Sequence, residues 1–177
     1  MKARWTTVPS VWKDYPPDNN LVYVKCNRNC NCILKKIKHC EDDAHVQYKY
    51  SPRKKAGVVM TDKEFGKFLI VQSRGRLWGV SKGGMEAGET PKECAFREFR
   101  EETGVVADLR KFDISTELTV NTGKYFCIHN QIQHKVCLND EFDSTGVGWV
   151  TRQCMRDFSK RNLIRFTSDF KKILEVI

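Results

Sequence analysis

No stretch of this sequence is long and apolar enough to span a bilayer. Near the middle the longest unbroken aliphatic or aromatic run is Phe68-Leu69-Ile70-Val71, far short of the roughly 20 residues a spanning helix needs. The first residues, Met1 to Asp14, mix Lys2, Arg4, Lys13 and Asp14 with Trp5 and Trp12 and hold no apolar core segment. A secretory signal is therefore not expected, and a reducing, cytoplasmic setting is. Internal repeats and low-complexity tracts are also missing, which sets aside solenoids and disordered arrays. Acidic residues are in deficit: 22 Asp and Glu against 31 Lys and Arg leave a formal charge of +9. A positive field of that size speeds encounter with polyanions, whether nucleic acid, an inositol polyphosphate or an acidic protein surface, without choosing among them.

A chain of 177 residues can build one core of ordinary size but not two, so one main domain with an extension is expected. Residues 1–54 form the extension, with Pro16-Pro17, Asn19-Asn20, a cysteine cluster and the start of the basic run Arg53-Lys54-Lys55. Residues 55–177 form the domain. There, Ala56 to Met60 and Lys67 to Gln72 are short apolar runs joined by a polar, glycine-containing segment, the pattern of a hairpin. A second strand region covers about Ser115 to Val136, broken by the turn residues Asn121-Thr122-Gly123-Lys124, and Gly146 to Val150 adds another strand. Phe170, Ile173, Leu174 and Ile177 recur at helical spacing and predict an amphipathic closing helix capped by Thr167 or Ser168.

Eight cysteines in a chain expected to be reduced read as free thiols or metal ligands rather than disulfides. Cys26, Cys30, Cys32 and Cys40 crowd together with His39 and His45 nearby, enough soft ligands for a structural zinc. The two-residue gaps of common zinc knuckles are absent, so free thiols in a small β-ribbon compete with that reading. Cys94, Cys127, Cys137 and Cys154 read as ordinary buried thiols.

The segment from Gly83 to Val105, GGMEAGETPKECAFREFREETGV, carries the chemistry. Thr90-Pro91-Lys92-Glu93 combines a capping threonine, proline at the first helical position and glutamate at the third, so a helix starts at about Pro91. On it Glu98, Glu101 and Glu102 stand at i, i+3 and i+4, bringing like charges onto one side. A solvated acidic face would tolerate them; a hard divalent cation, Mg²⁺ first and Mn²⁺ second, would neutralise them. Gly104 suits a left-handed helix end. The whole segment resembles the Nudix box, whose positions are filled by Gly83, Glu89, Arg97, Glu98, Phe99, Glu101, Glu102, Gly104 and Val105, Phe99 being larger than the usual aliphatic. The resemblance implies an α/β/α sandwich with a mixed sheet. It also implies metal-dependent hydrolysis of a phosphoanhydride bond in a nucleoside diphosphate-linked substrate. By the same resemblance the Gly83 carbonyl, Glu98, Glu101 and Glu102 bind the metal, and Glu89 and Arg97 brace the site internally.

A base must take the proton of the attacking water. The family uses either a box glutamate, here Glu101 or Glu102, or a carboxylate on a later loop, for which Glu141 is preferred to Asp143. Leu77-Trp78-Gly79-Val80-Ser81-Lys82-Gly83 is similar to the Trp-Gly-Phe-Pro-Lys-Gly entry of mRNA-decapping, dinucleoside polyphosphate and diphosphoinositol polyphosphate hydrolases, departing at Val80 and Ser81. Lys82, Arg74 and Arg76 are the candidate phosphate contacts. Further basic residues (Lys35, Lys36, Lys38, Arg53 to Lys55, Arg152, Arg156, Lys160, Arg161 and Arg165) would suit an RNA body. Trp5, Trp12, Tyr15, Tyr23 and Phe126 could stack on a methylated guanine. Capped RNA is thus one expected partner and a polyphosphorylated small molecule the other; a non-catalytic nucleotide-binding module is the alternative of another class.

Overall fold

A computed structural model describes residues 21–26, 28, 30–37, 53–62, 66–73, 77–105, 108, 111–130, 136, 138 and 144–177. In chain order the elements are β1 (Leu21–Lys25), β2 (Ile33–Ile37), β3 (Lys55–Asp62), β4 (Lys67–Ser73), β5 (Leu77–Gly79), β6 (Ser81–Gly84), α1 (Pro91–Thr103), β7 (Ile114–Val120), β8 (Gly123–Asn130), β9 (Ser144–Thr151), α2 (Arg152–Lys160), β10 (Arg165–Phe166) and α3 (Ser168–Val176). The main sheet runs β1-β2-β9-β4-β3-β8-β7. It is mixed: β3 and β8 are parallel from Lys55↔Gly123 to Asp62↔Asn130, whereas β4–β9 and β7–β8 are antiparallel.

Side-chain alternation along these strands divides the core into two layers. Ala56, Val58 and Met60 of β3, Leu69 and Val71 of β4, Phe126 and Ile128 of β8, and Val147 and Trp149 of β9 meet Ala95, Phe96 and Phe99 of α1. The intervening residues Val59, Ile70, Tyr125, Cys127 and Val150 meet Met155 and Phe158 of α2 and Phe170 and Ile173 of α3. Each large side chain fully buried in this way stabilises the fold by about 1.5–3 kcal/mol. The result is the expected α/β/α sandwich. No helix among the described residues is long and apolar enough to cross a membrane.

The hairpin expected from residues 56–60 and 67–72 closes only at its tip, through Thr61↔Phe68 and Asp62↔Lys67. Beyond the tip the two strands part. β6 takes the free side of β3, from Lys55↔Gly84 to Val58↔Ser81, and β5 takes the end of β4. Gly57 permits the first of these approaches, since a Cβ there would lie 2.3 Å from the Ser81 carbonyl oxygen. The parting places Lys82 and Gly83 beside α1, where the site forms.

Helix α2 was not anticipated: its residues read in sequence as a basic run, and only Cys154, Met155 and Phe158 are buried. Thr151 caps it by accepting the Cys154 N–H at 3.2 Å, and Thr167 caps α3 by accepting the Phe170 N–H at 3.3 Å. Phe126 is a core residue, 3% exposed, so it cannot stack on a base. Arg152 also departs from the expected anion surface. It donates to the Leu174 carbonyl at 2.7 Å and to that of Ile177, with its guanidinium 5.1 Å from the Phe68 ring centroid; it ties the chain end to the sheet.

Candidate active site

Helix α1 begins as the sequence predicts. Thr90 accepts the Glu93 N–H at 3.3 Å, and the Glu93 carboxylate accepts the Thr90 N–H at 2.9 Å. It ends at Gly104 in the left-handed conformation, φ 64°. Between these ends Arg97 is the hub. It donates to both oxygens of Glu89 at 2.8 and 3.0 Å, to Glu98 at 2.8 Å, to Glu101 at 3.1 Å and to the Gly84 carbonyl at 3.1 Å. A forked guanidinium can serve so many acceptors where a lysine cannot. The Arg97 hydrogen bonds, outweighing the opposing effect of burial, hold the Glu89 carboxyl down at about 2. Glu89 also accepts the Glu86 N–H at 3.0 Å. The loop from β6 is thereby clamped to α1.

The three box glutamates differ in surroundings. Glu98 is pressed against Gly83: a Cβ on Gly83 would lie 2.0 Å from the Glu98 carboxyl carbon. Only a residue without a side chain leaves Glu98 and the Gly83 backbone next to each other. Glu102 is buried and accepts the Lys82 N–H at 2.8 Å. Its main-chain carbonyl accepts the Ser144 hydroxyl at 2.7 Å, tying α1 to β9. Glu101 is half exposed and accepts a hydrogen bond from the Arg97 guanidinium at 3.1 Å. The three carboxylates are not drawn into a tight knot; the set of potential ligands within 4.8 Å of one another among the described residues is instead a group of thiols. Hard oxygen donors from Glu98, Glu101 and Glu102, with a backbone carbonyl at a glycine that their packing requires, fit a Mg²⁺- or Mn²⁺-type cation.

Burial pushes Glu102 up to about 7 from 4.5, with the Ser81 hydroxyl and Lys82 amide pulling the other way. The folded protein therefore retains a proton there that the unfolded chain releases, so stability should fall as pH rises from about 4.5 to 7, by up to about 3 kcal/mol. Urea unfolding in chelator at pH 5 and pH 8, for the native chain and Glu102→Gln, measures this. The substitution should remove the slope, and an unchanged slope would show that the loss arises elsewhere.

Lys82 is half-buried at the site, through its main chain at least. Arg74, Arg76 and Glu141 lie outside the described residues, as do Cys40, His39, His45, Lys38, Asp143, Trp5, Trp12 and Tyr15. The structure adds one cation that local spacing did not single out: the Arg53 side chain runs alongside Gly84, and the Lys54 carbonyl accepts the Met85 N–H at 3.0 Å. Its only sequence signal was membership of a basic run some thirty positions away. Of the cysteines, Cys26 and Cys30 gather with each other and with Cys154, distant in sequence, whose sulfur lies 3.0 and 3.1 Å from theirs. That revises the reading of Cys154 as an ordinary buried thiol.

Residues 51–152 match the NUDIX domain model. A protein of Invertebrate iridescent virus 3 that bears the name "Putative hydrolase 111R" is 39% identical over 140 residues, covering 76% of this chain and 80% of that one. An RNA pyrophosphohydrolase of Erythrobacter litoralis is 40% identical over 68 residues, 37% of this chain and 40% of its own length. An m7GpppN-mRNA hydrolase of Caenorhabditis elegans is 32% identical over 77 residues, 41% of this chain and only 10% of its own. Among solved structures, a bifunctional NMN adenylyltransferase/ADP ribose pyrophosphatase of Francisella tularensis superposes with a TM-score of 0.58 at 17% identity. The match covers 73% of this chain and 42% of that one, and it shows a shared fold. With every box position filled and the matched domain running from β3 through α1 to β9, the chain belongs to the Nudix family, as a hydrolase.

Proposed function

We propose that the chain hydrolyses a phosphoanhydride bond at the 5′ end of RNA, the methylated cap in the first instance, releasing methylated GDP. The observation that carries this reading is that two of its relatives are named for RNA, one as an RNA pyrophosphohydrolase and one as an m7GpppN-mRNA hydrolase, a name that gives the methylated cap. The charge distribution supports it. Arg53 and Lys54 are exposed beside the box loop, and Arg156, Lys160, Arg161 and Arg165 are exposed on and after α2. Spread over several elements, these cations suit a polyanion with an extended backbone better than a single small phosphate ester. Tyr23, 45% exposed on β1, is a described aromatic free to stack on a base.

In this reading the Gly83 carbonyl, Glu98, Glu101 and Glu102 hold Mg²⁺ or Mn²⁺, which when bound neutralises the bridging phosphates and lowers the pKa of an attacking water. Arg97 and Glu89 keep loop and helix in fixed relation, so that these donors converge without reorganisation at each turnover. Lys82, Arg53 and, on the segment outside the described residues, Arg74 and Arg76 neutralise substrate phosphates. A carboxylate accepts the proton of the water: Glu101 or Glu102 from the box, or Glu141 from the later loop. Residues 55–177 supply this machinery apart from Arg53, and residues 1–54 form an appended, cysteine-rich segment that ends beside the box loop.

Cap-labelled RNA, 5′-triphosphorylated RNA, dinucleoside polyphosphates and diphosphoinositol polyphosphates, each incubated with the protein and Mg²⁺ or Mn²⁺, separate the substrates. Release of methylated GDP from capped RNA supports the proposal. Release of pyrophosphate from triphosphorylated RNA alone would move the reading to the uncapped end. Turnover confined to the small molecules would overturn it and reduce the basic surface to electrostatic steering.

A further inference from the structure

Away from the box, the turn between β1 and β2 folds back onto the start of α2. The Cys26 N–H donates to the Cys32 carbonyl at 3.1 Å and closes the turn. Asn31 within it takes a positive φ of 50°. Because β2 pairs with β9 from Ile33↔Trp149 to Lys36↔Gly146, the turn sits directly over the point where β9 runs into α2. Three sulfurs meet there: Cys154 Sγ is 3.0 Å from Cys26 Sγ and 3.1 Å from Cys30 Sγ, and all three lie within 4.8 Å of one another. Cys32 is buried close by, outside that group of three, and interacts with both Cys30 and Cys154, so that a small shift of its side chain would bring a fourth sulfur.

We propose that Cys26, Cys30, Cys32 and Cys154 form a four-thiolate zinc site that fastens the β1–β2 ribbon to the body of the protein at the N-terminus of α2. The sulfur separations are far from the roughly 2.05 Å of a disulfide. At 3.0 and 3.1 Å the Cys154 sulfur stands within 1 Å of the roughly 3.8 Å that separates ligands around a tetrahedral zinc with bonds of about 2.3 Å. Backbone amides already point at two of the sulfurs: the Arg28 N–H donates to Cys26 Sγ at 3.3 Å and the Thr151 N–H to Cys32 Sγ at 3.3 Å. Such N–H···S bonds, and the positive end of α2 at Cys154, favour sulfur as thiolate over thiol. An all-sulfur tetrahedral set selects a soft cation, unlike the oxygen set on α1.

The ribbon has reason to need a fastener. β2 is hydrogen-bonded to β9, and Val24 and Leu34 join the core, but β1 is a five-residue edge strand paired to β2, and Val22, Tyr23 and Ile33 on the ribbon remain exposed. Besides sharing an apolar layer with Met155 and Phe158 through Val24 and Leu34, the ribbon meets α2 through the ion pair of Arg28 with Asp157 at 2.9 Å, more than half exposed on the arginine side and so worth little. Zinc would join segments more than a hundred residues apart, and its binding energy would become folding energy.

Elemental analysis of tag-free protein, purified under reducing conditions without chelator, tests this. About one zinc per chain is expected, falling below about 0.1 in Cys154→Ser and unchanged in Cys127→Ser, whose sulfur is buried elsewhere in the core. Should Cys154→Ser fail to fold, loading the native chain with Co²⁺ in place of zinc must give the visible absorption of tetrahedral thiolate coordination. Four thiols must also resist alkylation until a chelator strips the metal. Protein free of zinc, iron in its place, a Cys26–Cys154 disulfide in the reduced preparation, or zinc that persists in Cys154→Ser would each overturn the assignment.

Discussion

Replacing Arg97 with alanine should lower the unfolding free energy by about 2–4 kcal/mol and turnover by about 10- to 100-fold. The side chain is about a quarter exposed, and its partners Glu89 and Glu98 are less exposed still, so its loss takes the cationic partner from two half-buried carboxylates with little water to replace it. That cost exceeds the value of the ion pair itself, because an uncompensated buried charge is worse than no charge at all. The loop carrying Glu89 would also be freed from α1, since Arg97 bridges Glu89 and the Gly84 carbonyl. Arg97→Lys should recover only part of the loss, because one ammonium cannot reach four acceptors on different sides.

Acid unfolding offers a second readout of the same clamp. Glu89 is held at about 2 by Arg97, so its contribution is complete above the ordinary carboxylate range and disappears as pH falls toward 2. In Arg97→Ala that acid-side loss should flatten. Equal stability in native and substituted chains, measured by urea unfolding at neutral pH, would show that Arg97 is no more than a surface ligand.

The parts of the structure legible in sequence were those fixed by short-range rules. Thr90, Pro91, Glu93 and Gly104 set both ends of α1, and the i, i+3, i+4 spacing put Glu98, Glu101 and Glu102 along it. Gly83 and Glu89 were found because the box keeps them at constant distance from the helix. Spacing could not show how differently the three glutamates are buried, because that depends on β6 lying against α1. The parting of β3 from β4, which admits β6, likewise depends on partners distant in sequence; the local pattern of two apolar runs and a polar link is equally that of a complete hairpin. Cys154 was unreadable for the same reason, being brought to Cys26 and Cys30 by β9 and α2. Helix α2 was hidden by its brevity and by the charges around Met155 and Phe158.

The central claim, a divalent-metal phosphoanhydride hydrolase built on the box of α1, is tested most directly at Glu101. Glu98 is wedged against Gly83 and Glu102 is buried against β6, so changing either disturbs the fold together with the chemistry. Glu101 is half exposed and accepts a hydrogen bond from Arg97 at 3.1 Å. Glu101→Gln keeps the shape and removes the charge. The measurement is turnover of whichever substrate the native chain cleaves, in Mg²⁺ and in Mn²⁺, alongside the unfolding midpoint. The account predicts a fall of at least about 10³-fold in both metals, roughly 4 kcal/mol of lost transition-state stabilisation, with the midpoint nearly unchanged. Activity that survives in both metals would contradict it.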